Sequence, residues 1–261
     1  MRRFLLLPLI VLISCGPEKS DQDVSAYQKM EFQHESGKLP YRILLPENYD
    51  AEKAYPLVLV LHGAGERGDD NEAQLSYGAD LFLQEDIREE YPAIVVFPQC
   101  PEEGYWANVK KEQFLLFFTF TFYPDGEPTP AMKILQGLID DLTENYNIDS
   151  RRMYLGGLSM GGMGTLELVR RSPGTFAAAF AICGGAHPDT APQLIGNPWW
   201  LFHGDSDMVV DYEHSQKMAA ALKKAGGKVK FTTYEDVNHN SWENAFAEPE
   251  LVPWLFSHSL E

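Results

Sequence analysis

The chain has 261 residues, is 44% hydrophobic and carries a formal net charge of −17. That length and apolar content suit one large α/β domain with a substantial core rather than two small ones. The acidic balance argues against nucleic acid, because phosphate contacts need Lys and Arg; with no C-x-x-C or H-E-x-x-H spacing present, a dedicated metal site has no sequence support.

The chain opens on a basic Met1-Arg2-Arg3, followed by an apolar Phe4 to Ile13 that is too short to cross a bilayer. Residues 1–14 read as a signal peptide. Leu12-Ile13-Ser14-Cys15 resembles the lipobox of bacterial lipoproteins, which implies lipidation at Cys15, export and anchoring to a bacterial membrane by that lipid alone. Residues 15–29, polar from Gly16 to Asp23, are expected to form a tether ahead of a single domain over 30–261.

Within that domain Met30–His34 and Tyr41–Leu45 alternate as strands around a Ser36-Gly37-Lys38 turn, predicting an antiparallel hairpin. The continuous apolar run Leu57–Leu61 predicts a parallel strand buried on both faces, with further strands at 93–97, 153–155, 178–183, 199–202 and 229–234. Helical stretches are expected at 74–90, 131–146, 165–172, 212–225 and 244–257. The alternation predicts a mostly parallel, doubly wound sheet. Residues 101–130 break the pattern: they are aromatic and turn-rich, as expected of a pocket wall or lid.

Met153–Leu155 runs into Gly157-Leu158-Ser159-Met160-Gly161, and a helical stretch follows. G-x-S-x-G on a strand–turn–helix is the nucleophile elbow of the α/β-hydrolase fold, in which small neighbours let a tight turn push the serine hydroxyl into the open. A serine needs a base, and the base an orienting acid, in the chain order Ser, Asp or Glu, His. The loop after the last strand offers His239; His187, His203, His214 and His258 fit that slot less well. The loop after strand 199–202 offers Asp205 and Asp207, between which spacing does not choose; Asp205 could instead hold the turn through backbone N–H groups.

Four segments together, Leu61-His62-Gly63-Ala64-Gly65-Glu66-Arg67-Gly68, Gly157-Leu158-Ser159-Met160-Gly161-Gly162, His203-Gly204-Asp205-Ser206-Asp207-Met208-Val209-Val210 and Asn238-His239-Asn240-Ser241-Trp242, resemble the dienelactone hydrolase/prolyl oligopeptidase-like esterases. That group includes phospholipase/carboxylesterase and feruloyl-esterase-like relatives. The resemblance spans about 30–257. It implies an α/β-hydrolase fold and hydrolysis of a small-molecule or carbohydrate-linked carboxylic ester without a cofactor, and its H-G-x-x-D-x-x-V pattern assigns the acid to Asp207. The backbone N–H of Met160, with Ala64 or else Gly65 from the loop after Leu61, is expected to form the oxyanion hole. Peptidase or acyltransferase chemistry at the same site, and a non-catalytic carbohydrate-binding surface protein, are the alternatives.

Gly63-Ala64-Gly65-Glu66-Arg67-Gly68 also matches the dinucleotide fingerprint, but Glu66, Asp69 and Asp70 would crowd a pyrophosphate. Arg67 is expected to pair with a loop carboxylate or to face the pocket. Trp106, Tyr123 and Trp242 sit in strand-end loops where substrate contact is expected, and Trp106 and Trp242 are taken as the substrate-binding pair. Cys100 and Cys183 follow strands three positions apart in the usual sheet order, roughly 14 Å. A disulfide cannot span that, so both are expected to be free.

Overall fold

The computed structural model describes residues 23–261 apart from 115 and 116; the expected signal peptide and Cys15 lie outside the described residues. No helix among the described residues is long and apolar enough to cross a membrane. The domain begins earlier than residue 30. Tyr27 is buried, its hydroxyl donating to Ala79 O, and Gln28 already opens a strand, so the last residues of the expected tether belong to the fold.

Eight strands form one sheet in the order β1 (Gln28–His34), β2 (Gly37–Leu44), β4 (Ile94–Pro98), β3 (Tyr55–Leu61), β7 (Ile148–Leu158), β8 (Ala178–Ile182), β9 (Trp199–Gly204), β10 (Val229–Tyr234). β1 and β2 run antiparallel, β2 pairs antiparallel with β4, and every other pairing is parallel. All seven residues of β3 are buried. Leu57, Leu59 and Leu61 point into one core, under α2 (Pro130–Asn145), α3 (Met160–Arg171) and α4 (Glu213–Lys224). Val58 and Val60 point into the other, under α6 (Leu251–Phe256) and the chain around 75–82. Two covered faces explain why the strand reads as an unbroken apolar run rather than as an alternation. This is the α/β-hydrolase fold, mostly parallel with an antiparallel N-terminal start.

Three expected elements differ. The helix expected at 74–90 is two 3-10 turns, Ala73–Leu75 and Leu81–Leu83, followed by α1 (Glu85–Glu90). Gly78 sits between them at φ +80, a conformation that breaks a helix, with the Phe246 ring where a side chain would go. The helix expected at 244–257 is α5 (Trp242–Phe246) and α6, separated by a turn containing Pro249, which has no N–H to continue a helix. The aromatic segment is a two-stranded antiparallel hairpin, β5 (Val109–Phe114) and β6 (Phe117–Phe122). Its strand signal is the alternation Phe118, Phe120, Phe122 toward the protein with Thr119 and Thr121 outward. Phe120 joins Met163 of α3 and Val210 in a small core of its own, so the hairpin is fixed over the C-terminal end of the sheet.

Candidate active site

At the end of β7 the chain turns sharply into α3 through Ser159, which sits at φ 51, ψ −114, a strained conformation for a residue with a side chain. The turn survives because its neighbours are glycines. A Cβ on Gly161 would drive into Leu61 O, and one on Gly157 would sit 2.5 Å from Gly161 O. The strain is held by Ser159 N–H donating to Ile182 O at 2.8 Å and by Met163 N–H closing on Ser159 O at 3.0 Å. The Ser159 side chain makes no capping bond to α3. Its hydroxyl lies 2.9 Å from His239 Nε2 instead.

His239 Nδ1 donates to Asp207 Oδ2 at 2.7 Å, so the three residues form one hydrogen-bonded chain across three loops of the sheet's C-terminal edge. The Asp207 side chain is fully buried. Burial opposes its ionisation, but hydrogen bonds from His203 and His239 and the backbone N–H of Val209 outweigh that and hold the carboxyl well below the usual carboxylate range. Oδ1 takes the N–H groups of Val209 and Val210 at 2.8 and 2.9 Å, which leaves Oδ2 to the histidines. Asp205 is engaged elsewhere: its Oδ1 accepts from Asp236 N–H at 2.8 Å and supports the turn.

Two further residues complete this corner. His203 is fully buried, with Nε2 3.0 Å from Asp207 Oδ2 and 2.9 Å from Val210 O, and Nδ1 2.7 Å from Ser215 Oγ. Both partners of Nε2 are acceptors, so that nitrogen carries a proton. Asn238 accepts from Met208 N–H and His239 N–H through one oxygen, at 3.0 and 2.7 Å, tying the acid loop to the base loop. Of the other histidines, His187 caps a 3-10 turn, His214 packs on Phe122 and His258 on Trp254.

The loop after β3 faces Ser159. Gly63 leads into a 3-10 turn, Ala64–Glu66, rather than the α-helix a dinucleotide fingerprint requires, so the G-x-G-x-x-G match has no phosphate-binding helix behind it. His62 anchors the loop. Its Nδ1–H donates to Gly63 O at 2.6 Å and its Nε2 accepts from Cys100 N–H at 2.9 Å, which sets the tautomer. Burial pushes the imidazole pKa down to about 4, so it stays neutral. Arg67 binds the backbone of the loop and of its neighbour. It donates to Ala64 O at 2.9 Å and Gly104 O at 3.3 Å, clamping the loop through backbone carbonyls. Met160 is the first residue of α3, where a helix supplies no acceptor for the backbone N–H.

A cavity of about 260 Å³ opens on Ser159 and His239, lined by Ala64, Glu66, Tyr105, Lys111, Phe120, Val209 and Trp242 among others. Trp242 packs edge-on to His239 with ring centroids 5.3 Å apart. Trp106, expected at the substrate, is a correction: it is fully buried, edge-on to His62 at 5.5 Å and against Gly164, and supports the loop from below. Tyr123 is exposed and lines a separate, smaller cleft. Glu66 lines the cavity as well. Burial raises its carboxyl pKa against the N–H groups of Gly63 and of Glu66 itself.

Cys183, Asp207 and His239 bring one potential ligand atom each within 4.8 Å of one another. The trio fits a metal poorly. Burial, reinforced by Asp207, pushes the Cys183 thiol pKa far up, whereas ligation needs a thiolate, and Asp207 already bonds His239. Cys183 and Cys100 are both free and buried, each just after a strand, β8 and β4, three positions apart in the sheet.

Fold and site together define a serine hydrolase of the esterase/thioesterase type. The chain belongs to the phospholipase/carboxylesterase family, whose model matches residues 48–249. It is 25% identical over 215 residues to acyl-protein thioesterase 1 of Debaryomyces hansenii, covering 76% of this chain and 90% of that one. A bifunctional acetylxylan esterase/xylanase of Neocallimastix patriciarum is 38% identical over 90 residues, 34% of this chain and 13% of that one. Among solved structures, a thermostable esterase superposes with a TM-score of 0.80 at 33% identity over 90% of this chain, which spans 64% of the length of that protein. A ferulic acid esterase shares the fold with a TM-score of 0.64 at 17% identity, over 87% of this chain and 96% of that one.

Proposed function

We propose that this chain hydrolyses carboxylic esters through an acyl-enzyme. The observation that carries the reading is the hydrogen-bonded chain from Ser159 Oγ to His239 to Asp207, mounted on a strained elbow. His239 Nε2 takes the Ser159 proton as Oγ bonds to the carbonyl carbon. The resulting oxyanion is received by the N–H groups of Met160 and Ala64. The proton then passes to the leaving alcohol oxygen as the ester C–O bond breaks, and a water deprotonated by His239 releases the acid and restores Ser159. Asp207 keeps Nδ1 protonated and balances the charge on the ring during both steps.

Thioester cleavage is the second reading, favoured by the acyl-protein thioesterase relative that this chain matches over most of its length. The same machinery serves both, and only the leaving group differs. The Leu12–Cys15 segment supports anchoring by a lipid on Cys15 of an exported protein, which a Cys15→Ala variant would release from the membrane fraction.

The test is turnover of 4-nitrophenyl esters from acetate to octanoate, a feruloyl ester and a matched thioester, by the chain and its Ser159→Ala variant. Loss of the nucleophile should cost about 10⁴–10⁶ in kcat. Turnover surviving in Ser159→Ala would refute the assignment.

A further inference from the structure

The cleft does not end at Trp242. Trp242 and Tyr77, ring centroids 5.1 Å apart, line both the cavity that holds Ser159 and a second one of about 350 Å³ on their far side. Phe246 adds a third ring to that second cavity, and Asp80 and Glu243 add two carboxylates. Among the described residues no Lys, Arg or His lines it, and the side chains of Asp80 and Glu243 make no hydrogen bond or ion pair. The broken helix described above makes this hollow. Gly78 holds the 76–84 segment open at positive φ, and α5 supplies the opposite side.

Charge and hydration together select the ligand. Glu243 is exposed and Asp80 half-buried, so both carboxylates are open to hydration by bulk solvent. A neutral polyol would exchange those hydrogen bonds for equivalent ones and gain little. An anion would be repelled by both carboxylates. A calcium or magnesium ion needs a shell of oxygen atoms, whereas much of this wall is ring carbon. An alkylammonium group gains what water cannot match: the attraction of a cation to aromatic π-systems, with two carboxylates to balance its charge.

The same polarity orders the substrate. Lys111, on β5 beside its cross-strand partner Phe120, is the one lysine or arginine among the described residues lining the Ser159 cavity. Glu66 lines that cavity too. Burial, with the charges of Glu66 and Glu243 behind it, raises the Tyr77 hydroxyl pKa, so carboxylates of both cavities act on that ring. A positive group is therefore repelled at the hairpin and drawn past Tyr77 and Trp242. Trp242 packs on His239, which hands its proton to the departing alcohol oxygen, so the alcohol half is the one that runs past it. We propose that the second cavity is a subsite for an alkylammonium group carried on the alcohol half of the substrate. A phosphodiester beside that group would bring an anion to the same carboxylates, so this half is cationic overall rather than a phospholipid headgroup. Its placement on the alcohol half rests on the serine-esterase reading; the cation binding itself does not.

The test has two arms. In calorimetry, the full-length Ser159→Ala chain in nonionic detergent is titrated with hexyltrimethylammonium, alone and against hexanoate, xylotetraose or glycerophosphocholine. Hexyltrimethylammonium should bind, and adding the near-isosteric pair Asp80→Asn and Glu243→Gln should weaken it by about tenfold, as should raised salt in part. The other three compounds should not displace it. In kinetics with Ser159 intact, kcat/KM for the acetate of 6-trimethylammoniohexanol should exceed that for its uncharged isostere, 7,7-dimethyloctyl acetate, by about tenfold, and the double variant should erase that preference. Absence of hexyltrimethylammonium binding overturns the proposal. So does binding that the double variant leaves intact, or displacement by xylotetraose or glycerophosphocholine, which would assign the cavity to a sugar or a phospholipid headgroup. Binding without a kinetic preference overturns the placement on the alcohol half. Failure to hydrolyse either ester would instead strike the esterase reading, and calorimetry would still decide the cation site.

Discussion

His203 gives the sharpest test of how the acid is held. Its two ring nitrogens do separate jobs, so two amides can separate them. Asparagine places its amide near the Nδ1 position, keeping a polar partner for Ser215 Oγ but leaving Asp207 Oδ2 and Val210 O with one donor fewer. Glutamine reaches the Nε2 position and keeps that donor. A hydrogen bond to a charged group is worth about 1.5–3 kcal/mol, and Asp207 is wholly buried with no water to substitute. His203→Asn should therefore lose about 1.5–3 kcal/mol of stability in urea unfolding, and His203→Gln should recover more than half of it. In the enzyme, a carboxylate freed from His203 grips His239 less rigidly. If about half of that energy supports the transition state, kcat falls roughly 4- to 13-fold in His203→Asn at unchanged KM. Stopped-flow or steady-state kinetics on 4-nitrophenyl acetate reads this directly. Equal behaviour of the two variants, or a neutral His203→Asn, would refute the reasoning, since a generic packing role does not distinguish which nitrogen is replaced.

Three further outcomes follow from the structure. Gly161→Ala should abolish turnover and cost several kcal/mol, on the order of 3 or more, because its Cβ meets the Leu61 carbonyl, backbone that cannot step aside; a folded, active variant would contradict the elbow geometry. Alkylation of the unfolded, unreduced chain should label both Cys100 and Cys183, and labelling of neither would mean a disulfide the fold does not allow. His62 is held at a pKa of about 4 against an ordinary 6.5, so the unfolded chain binds the extra proton between those values. Its contribution is complete above about pH 6.5 and is lost as pH falls toward 4, by about 3 kcal/mol in total. Stability against pH should flatten across that window in His62→Gln, and an unchanged slope would show that burial does not keep the ring neutral.

The sheet was legible because its strands are buried on both faces, and an unbroken run such as Leu57–Leu61 has few other readings. The elbow was legible because Gly157, Ser159 and Gly161 sit between a strand and a helix. What stayed hidden depends on contacts between distant segments. His203 looks like part of a strand until β9 and α4 bring Ser215 beside it. Trp106 looks like a loop aromatic until His62 covers it. Gly78 reads as part of a helical stretch until its φ of +80 breaks it, with the Phe246 ring filling the space of a side chain. The hairpin at 109–122 carries its own signal inside the aromatic run, since Phe118, Phe120 and Phe122 keep a strand's period.

The central claim is that Ser159 is the nucleophile of an ester hydrolase. Intact-mass analysis of the chain after reaction with a fluorophosphonate probe, with peptide mapping of the adduct, tests it most directly. A single phosphonyl adduct on Ser159, absent from Ser159→Ala and strongly slowed in His239→Ala, is the expected result. An adduct elsewhere, or undiminished labelling of Ser159→Ala, would contradict it.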